Sequence, residues 1–265
     1  HRTEEEISQI ENLTKGQNSN SLWFEYRSGV ITASIAHQVL CKYKKKNNSS
    51  SFIDNIVGRI LGYSKPFKTP STSWGVENEK YARKRYIKKS RSGHKHFKCE
   101  ETGLKLHPER VMLGASVDGM VSCECCGIGC LEIKCPFSHR EKTVEEYVQE
   151  SDSCLEQSTC NLPKMKYILK HTHQYYTQVQ HQMFVTGTSY ADFVLYLPKE
   201  SYIVRVGKDE SYHKVSVPLL EDFFKCNLIP ELFSRKILTK KICKEILGEI
   251  VENAVNKVNI KNPNK

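Results

Sequence analysis

The sequence has no apolar run long enough to span a membrane, and no signal peptide is visible in it. Its 11 cysteines lack the regular spacing of a small disulfide-bonded secreted protein, and no internal repeat is evident. These absences argue against a membrane protein, a disulfide scaffold and a repeat solenoid. We therefore expect an intracellular chain in a reducing compartment, which would be the nucleus in a eukaryote. Because the first residue is His1 rather than Met, we also expect a fragment of a longer protein.

The sequence also has fewer acidic than basic residues, so its formal net charge is +10 and its isoelectric point is about 9.0. A length of 265 residues with 38% hydrophobic content is enough for one core of ordinary size. The basic excess favours a polyanionic partner, although a solvated lysine-rich surface would give the same composition. Nine Lys or Arg residues and no acid lie between Lys80 and Lys98, so this run suits either a solvated face or a phosphate track.

The most informative stretch is residues 113–137, where two short apolar segments carry charged residues. Asp118 begins one segment, Glu132 and Lys134 flank Ile133 on the other, and a Gly/Cys turn between them predicts a hairpin. Side chains at positions i and i+2 of a strand share a face, so Glu132 and Lys134 project together and a hairpin partner can bring Asp118 beside them. The pattern therefore predicts a magnesium site on one face of a sheet.

The residue types match the chemistry of that site. A hard divalent cation prefers carboxylate oxygens and can also use a backbone carbonyl such as that of Ile133. A lysine beside the cation can orient or deprotonate an attacking water, because neighbouring positive charge lowers its pKa. An exposed hairpin with an ordinary Glu–Lys pair is the alternative, because acid-x-Lys is a common pattern.

Matching segments on both sides strengthen the metal-site interpretation. They are Trp23–Ser34, the Trp74-Gly75 pair with Glu79 and Ala82, Ser116–Pro136 and Tyr175–Thr186. In order and content these segments resemble the YqaJ-like viral recombinase family, the family of phage lambda exonuclease, within the PD-(D/E)xK nuclease superfamily. Val117 stands where the superfamily has proline, a minor departure because that proline supplies no ligand.

The resemblance implies a restriction-endonuclease-like core, that is, an α/β fold with a mixed central β-sheet flanked by helices and with C-terminal helices. Alternating helical and strand patterns indicate an α/β domain independently. We expect a polar N-terminal extension over 1–20, the nuclease domain over 21–235, and a C-terminal helix with a disordered tail over 236–265. The segment 152–170 is predicted to be an irregular insertion, and a helix is predicted to begin near Pro218.

The resemblance also assigns roles to individual residues. The catalytic set would be Glu79, Asp118, Glu132, Lys134 and Gln178, and the metal ligands Asp118, Glu132, Glu79 and the carbonyl of Ile133. DNA or its terminal 5′ phosphate would contact Arg27, Ser34, Ser116 and Tyr175. Without the family, Arg27 would be interpreted as a surface ion pair and Ser34 as a helix cap. Gln180 and Gln182 are interpreted as polar helix surface.

The function implied by the resemblance is a DNA exonuclease that depends on Mg²⁺ or Mn²⁺ and acts in recombination or DNA processing. It would digest linear double-stranded DNA ends in the 5′-to-3′ direction, with a single-strand annealing protein as a partner. Monomer and oligomer both stay open. The alternatives are an endonuclease of the same fold and a non-catalytic DNA-binding derivative; intact Asp118, Glu132 and Lys134 disfavour the second.

Four cysteines crowd the predicted hairpin: Cys123, Cys125, Cys126 and Cys130. Their C-x-C-C-x3-C spacing lacks the paired C-x2-C motifs of common zinc ribbons, so reduced thiols are favoured over structural Zn²⁺. A zinc-binding interaction module stays open as a competing function. Further candidate ligands cannot be paired with the hairpin from sequence: Cys99, Cys154, Cys160, His171 and His173.

Overall fold

The structure is a computed structural model that describes residues 2–44, 49–64, 68–158 and 166–247. Its helices are α1 Glu4–Leu13, α2 Ser21–Arg27, α3 Ala33–Lys44, α4 Ser50–Ile60, α5 Pro70–Gly93, α6 Val144–Val148, α7 Gln174–Thr186, α8 Glu210–Phe223 and α9 Ile229–Ser234. Residues 236–247 are also helical. Within these ranges, no helix combines the length and the apolar character that crossing a membrane requires.

The strands form one main sheet and two small ones. They are β1 Ile31–Thr32, β2 Lys98–Glu100, β3 Lys105–Leu106, β4 Leu113–Ala115, β5 Gly119–Cys123, β6 Gly127–Lys134, β7 Leu155–Gln157, β8 Tyr167–Leu169, β9 Tyr190–Tyr196 and β10 Ser201–Gly207. The main sheet has the order β10-β9-β6-β5-β2, and the small sheets have the orders β1-β4-β3 and β7-β8. The predicted mixed α/β architecture is confirmed.

Strand β6 lies at the centre of the main sheet, antiparallel to β5 and parallel to β9. The β5–β6 hairpin turns at Gly127, whose φ of +72° suits glycine. Gly119, the first residue of β5, pairs with Leu131, so β6 continues three residues beyond its partner, to Lys134. This overhang positions the charged residues of the motif.

Apolar residues cover both faces of the main sheet. On one face, α7 contributes Val179 and Met183 to a core that includes Phe193 and Leu195 of β9. On the other face, Tyr86 of α5 packs in a core with Leu131, Ile133 and Val194. The pleat of β6 therefore sends Ile133 towards α5 and its neighbours Glu132 and Lys134 towards α7.

The N-terminal segment, predicted to be a polar extension, packs onto the core. Ile10 of α1 is 3% exposed and lies in a cluster with Leu104 and Leu106. The Leu104 N–H donates to Thr14 Oγ1 at 2.7 Å. A Cβ on Gly103 would lie 2.0 Å from the Glu11 carbonyl oxygen, so only glycine permits this approach of α1.

Two predicted segments differ from the structure. The segment predicted to be an irregular insertion contains the β7–β8 pair, with residues 159–165 between the strands outside the described residues. Helix α8 begins at Glu210 rather than near Pro218, because Asp209 caps it by accepting from the Tyr212 N–H at 2.9 Å. Burial of apolar side chains further along α8 offsets the cost of Pro218 inside it, about 3 kcal/mol. The predicted disordered tail falls outside the described residues beyond position 247.

Candidate active site

Asp118 is fixed beside the overhanging end of β6 by two backbone contacts. Its N–H donates to the Leu131 carbonyl at 2.9 Å, and its Oδ2 accepts from the Ile133 N–H at 2.6 Å. In a strand, the N–H and C=O of one residue point to the same side, so the Ile133 carbonyl also faces this side of β6. The structure therefore brings the Asp118 carboxylate and the Ile133 peptide group together.

Glu132 is the most enclosed of the charged residues, with 2% of its surface exposed. Its Oε1 accepts from Lys134 Nζ at 2.6 Å and from Gln178 Nε2, and its Oε2 accepts from Gln182 Nε2. These three bonds leave capacity for a further partner, because a carboxylate offers about four acceptor positions. The carboxylate is therefore held in one orientation without being saturated.

Gln178 and Gln182 reach Glu132 because they are four residues apart on the face of α7 that packs against β6. The interpretation of Gln182 as polar helix surface was wrong, since the side chain is fully buried. Gln180 is buried as well, and it donates to the Gly207 carbonyl at 2.8 Å. Helix α7 mixes polar and apolar residues on all sides, so the sequence alone did not show which of its glutamines face the sheet.

Glu79 approaches the same region from α5, where it forms a 3.9 Å ion pair with Arg83. Burial raises the pKa of Glu79, and repulsion from Glu132 adds to the increase while Arg83 opposes it. Burial also raises the pKa of Asp118 well above its usual range, with further repulsion from Glu132 and Glu79. The negative charges of Glu79, Asp118 and Glu132 therefore repel one another, although the carboxylate oxygens of the three residues do not all lie within 4.8 Å of one another.

Lys134 is the cation of this group. Burial acts to lower its pKa, but attraction by Glu132, Tyr175 and Asp118 outweighs burial, and the net pKa is raised. Its Nζ also lies 4.9 Å from the centre of the Tyr175 ring. Lys134 is therefore a protonated donor held between a carboxylate and an aromatic ring.

A second group of donors surrounds Arg27. Arg27 Nη2 donates to Thr32 Oγ1 at 3.2 Å and to Ser34 Oγ at 3.4 Å, and its guanidinium lies 3.8 Å from the centre of the Trp23 ring. Trp23 Nε1 in turn donates to Ser116 Oγ at 2.8 Å. Burial lowers the pKa of Arg27 to about 10, so the guanidinium stays charged at neutral pH. This constellation suits a phosphate group.

One cavity of about 170 Å³ connects the two groups. It is lined by Gln17, Trp23, Arg27, Thr32, Ala33, Ser34, Ser116, Asp118, Glu132, Lys134 and Gln178. Seven of these residues are predicted site residues. Three more, Glu79, Ile133 and Tyr175, do not line the cavity. Gln17 was not anticipated, because only tertiary packing places its Nε2 on the Val117 carbonyl at 2.8 Å.

The residues fit a divalent cation. Asp118 and Glu132 present hard oxygen ligands to a cavity several times the volume of a water, about 30 Å³. The raised pKa of Asp118 reports an excess of negative charge that a cation would offset. Glu79 adds to that charge without lining the cavity.

Comparison with known proteins finds solved structures of similar fold. The alkaline exonuclease LHK-Exo from Laribacter hongkongensis is similar in structure, with a TM-score of 0.55, 24% identity, and coverage of 84% of this chain and 97% of that one. The Shutoff and Exonuclease Protein from Kaposi's sarcoma-associated herpesvirus gives a TM-score of 0.53 at 12% identity, covering 83% of this chain and 72% of that one.

A SOX–DNA complex gives a TM-score of 0.54 at 11% identity, with coverage of 83% of this chain and 70% of that one. At these identities the three likenesses show the fold alone, and they confirm the predicted fold class. No curated protein sequence matches the chain. The model of the YqaJ-like viral recombinase domain matches residues 22–189, more than half of the sequence. The chain therefore belongs to the YqaJ-like viral recombinase domain family.

Proposed function

We propose that this protein is a metal-dependent DNA exonuclease that digests linear double-stranded ends in the 5′-to-3′ direction during recombination. Membership of the YqaJ-like family and a fold shared with alkaline exonucleases support the proposal. The observation that carries it is the shared cavity, in which Asp118, Glu132 and Lys134 lie beside the phosphate-binding donors Arg27 and Ser34. A strand-annealing protein is the partner we propose for the single strand that digestion leaves.

Hydrolysis of a phosphodiester requires a positioned water and stabilisation of charge on the phosphate. A divalent cation held by Asp118, Glu132 and the Ile133 carbonyl, with Glu79 nearby, would neutralise phosphate charge and make a water easier to deprotonate. Lys134 Nζ, held by Glu132 and Tyr175, orients that water or donates to a phosphate oxygen. Gln178 and Gln182 keep the Glu132 carboxylate in a fixed orientation.

Preference for DNA ends follows from the Arg27 group. A terminal 5′ phosphate carries more charge than an internal phosphodiester and can accept charge-assisted hydrogen bonds from Arg27, Ser34 and Ser116. Because these residues line the same small cavity as the carboxylates, a bound terminal phosphate places a neighbouring phosphodiester towards Asp118 and Glu132. An internal segment of duplex would lack this anchor.

The function is tested by incubating the protein with linear and covalently closed circular duplexes, each with and without Mg²⁺. We expect degradation of linear DNA alone, and only with the cation, with faster loss of the strand whose 5′ end is phosphorylated. Cleavage or nicking of closed circles would instead support the endonuclease alternative. Binding of duplex without cleavage under any cation condition would support a non-catalytic DNA-binding protein.

Two substitutions separate catalysis from binding. We expect Lys134→Ala and Asp118→Asn each to lower the cleavage rate by at least about 1,000-fold while duplex affinity changes by less than about tenfold, because both remove groups that act on the reacting phosphate. Lys166→Ala is the control, since Lys166 pairs at 3.1 Å with exposed Glu145 and does not line the cavity. Undiminished turnover in either site variant would contradict the assignment.

A further inference from the structure

A second cluster of potential ligands lies outside the proposed active site, where the end of α5 meets the turn of the β5–β6 hairpin. His94, the residue that caps α5, lies beside Cys123, Cys125 and Cys126. His94 offers a ring nitrogen and each cysteine its Sγ, and these four atoms all lie within 4.8 Å of one another. The cluster therefore has the composition and ligand number of a structural zinc site of the Cys₃His type.

The distances inside the cluster are close to those that tetrahedral zinc would impose, and the two shortest both involve Cys125. His94 Nδ1 lies 3.2 Å from Cys125 Sγ and 3.5 Å from both Cys123 Sγ and Cys126 Sγ. Cys125 Sγ lies 3.3 Å from Cys123 Sγ and 3.8 Å from Cys126 Sγ. Ligands about 2.3 Å (sulfur) and 2.0 Å (nitrogen) from one ion in tetrahedral arrangement are separated by about 3.5–3.8 Å. The sulfurs are also too far apart for disulfides, which require about 2.05 Å.

The surroundings of the cluster hold it in place and complement its charge. The Glu124 N–H donates to the Lys95 carbonyl at 3.1 Å, which docks the hairpin turn on the segment after α5. Arg205 Nη1 of β10 donates to Cys126 Sγ at 3.0 Å. Three thiolates and one neutral imidazole around Zn²⁺ carry a net charge of about −1, so a guanidinium on one sulfur is the outer contact that such a site needs.

We propose that His94 Nδ1 and the thiolates of Cys123, Cys125 and Cys126 bind one structural Zn²⁺. Binding displaces the three thiol protons to solvent, and the ion forms one nitrogen and three sulfur bonds. The ion joins the end of α5, which also carries Glu79, to the tip of the hairpin, which carries Glu132 and directly follows Asp118. Cys130 is excluded from the site because it is buried in the core. It lies opposite Met120, at the end of the β5–β6 ladder that is far from the hairpin turn.

The proposal is tested by metal analysis of the full chain purified under reducing conditions without chelator. We expect about one zinc per chain, and cobalt(II) substitution should give the absorption of tetrahedral thiolate coordination. Cys125→Ser and His94→Ala should each lower the zinc retained after dialysis by at least about tenfold. Cys226→Ser, at an exposed cysteine far along the sequence, should leave the zinc content unchanged.

Several outcomes would overturn the proposal. The proposal fails if the wild-type protein, with its thiols reduced, neither contains zinc nor takes up cobalt(II), and this outcome needs no variant. Full zinc content in both His94→Ala and Cys125→Ser would also overturn it, because the ion would then lie elsewhere. The result is independent of nuclease activity: Asp118→Asn should keep its zinc even though it loses cleavage, so failure of either proposal is recognised separately.

Discussion

Among single residues, Glu132 shows how the fold restrains a charge. A buried carboxylate is costly unless it is paired and hydrogen-bonded. Glu132 meets that requirement with one lysine from its own strand and two glutamines from α7. The amide donors leave the ion pair intact and add orientation, which gives Gln182 a role that its position in the sequence does not suggest.

We expect Gln182→Leu to lower the rate of DNA cleavage by about 10- to 100-fold and to raise the Mg²⁺ concentration needed for half-maximal rate. The substitution keeps the approximate volume but removes the donor to Glu132 Oε2. Cleavage rate as a function of Mg²⁺ concentration measures both effects. Gln180→Leu is the matched control, since Gln180 is equally buried on α7 but contacts Gly207 and Asp209. An equal change in Mg²⁺ dependence for both variants would argue against a specific role for Gln182.

Arg27 is the residue expected to recognise a phosphorylated DNA end. We expect Arg27→Ala to reduce the preference for 5′-phosphorylated over 5′-hydroxyl ends by about tenfold or more, because a charge-assisted contact to the terminal phosphate is lost. Digestion rates on the two substrates, otherwise identical, give the ratio. Arg59→Ala serves as the control, since Arg59 donates to Gln38 at 2.6 Å on the exposed side of α4. A proportional loss on both kinds of end would contradict the assignment.

Single residues could be predicted where chemistry and local spacing coincide. Asp118, Glu132 and Lys134 stand in a short motif with a hairpin between them, so the sequence predicted their convergence. Gln182 and His94 could not be found in this way, because their partners come from elements 50 and 29 residues distant. Tertiary packing alone brings them to their contacts.

Among the elements, the hairpin and helix α1 differ in how far the sequence predicted them. Gly/Cys turn residues and apolar flanks predicted the β5–β6 hairpin correctly. The polar composition of α1 concealed a single buried residue, Ile10, and a glycine elsewhere in the chain that admits the helix backbone. A short helix has too few apolar positions for its sequence pattern to show that it packs against the core.

We expect Ile10→Ala to lower the free energy of unfolding by about 2–4 kcal/mol, because it removes a buried side chain from the cluster with Leu104. Leu13→Ala on the same helix is the matched control, and its effect should stay within about 0.5 kcal/mol since Leu13 is 50% exposed. Urea denaturation of both variants measures the difference. Equal stability of the Ile10 variant and the wild type would mean that α1 contributes nothing to the folded core.

For the whole molecule, buried histidines contribute to the loss of stability in acid. Burial lowers the pKa of His181 to about 4, while its Nε2 donates to the Gly114 carbonyl at 3.2 Å. The folded protein therefore binds this proton less readily than the unfolded chain, whose histidine pKa is about 6.5. Stability from this group is fully present above about pH 6.5 and is lost as the pH falls towards about 4.

We expect the His181 contribution to acid destabilisation to reach at most about 3 kcal/mol across that window. Burial lowers the pKa of His107, His173 and His213 too, so they act in the same direction. Asp118, with its raised pKa, acts in the opposite direction. His181→Gln should flatten the pH dependence of unfolding measured with urea. An unchanged slope in the His181 variant would contradict this account.

The overhang of β6 has a consequence for how the gene can vary. Ile133 enters the apolar layer beneath α5, while Glu132 and Lys134 take the opposite side of the pleat. This alternation fixes the side of the sheet on which each of the three side chains lies. A codon inserted between Leu131 and the end of the strand would invert it, driving two charges into hydrocarbon. Natural relatives should therefore lack insertions in the last residues of β6.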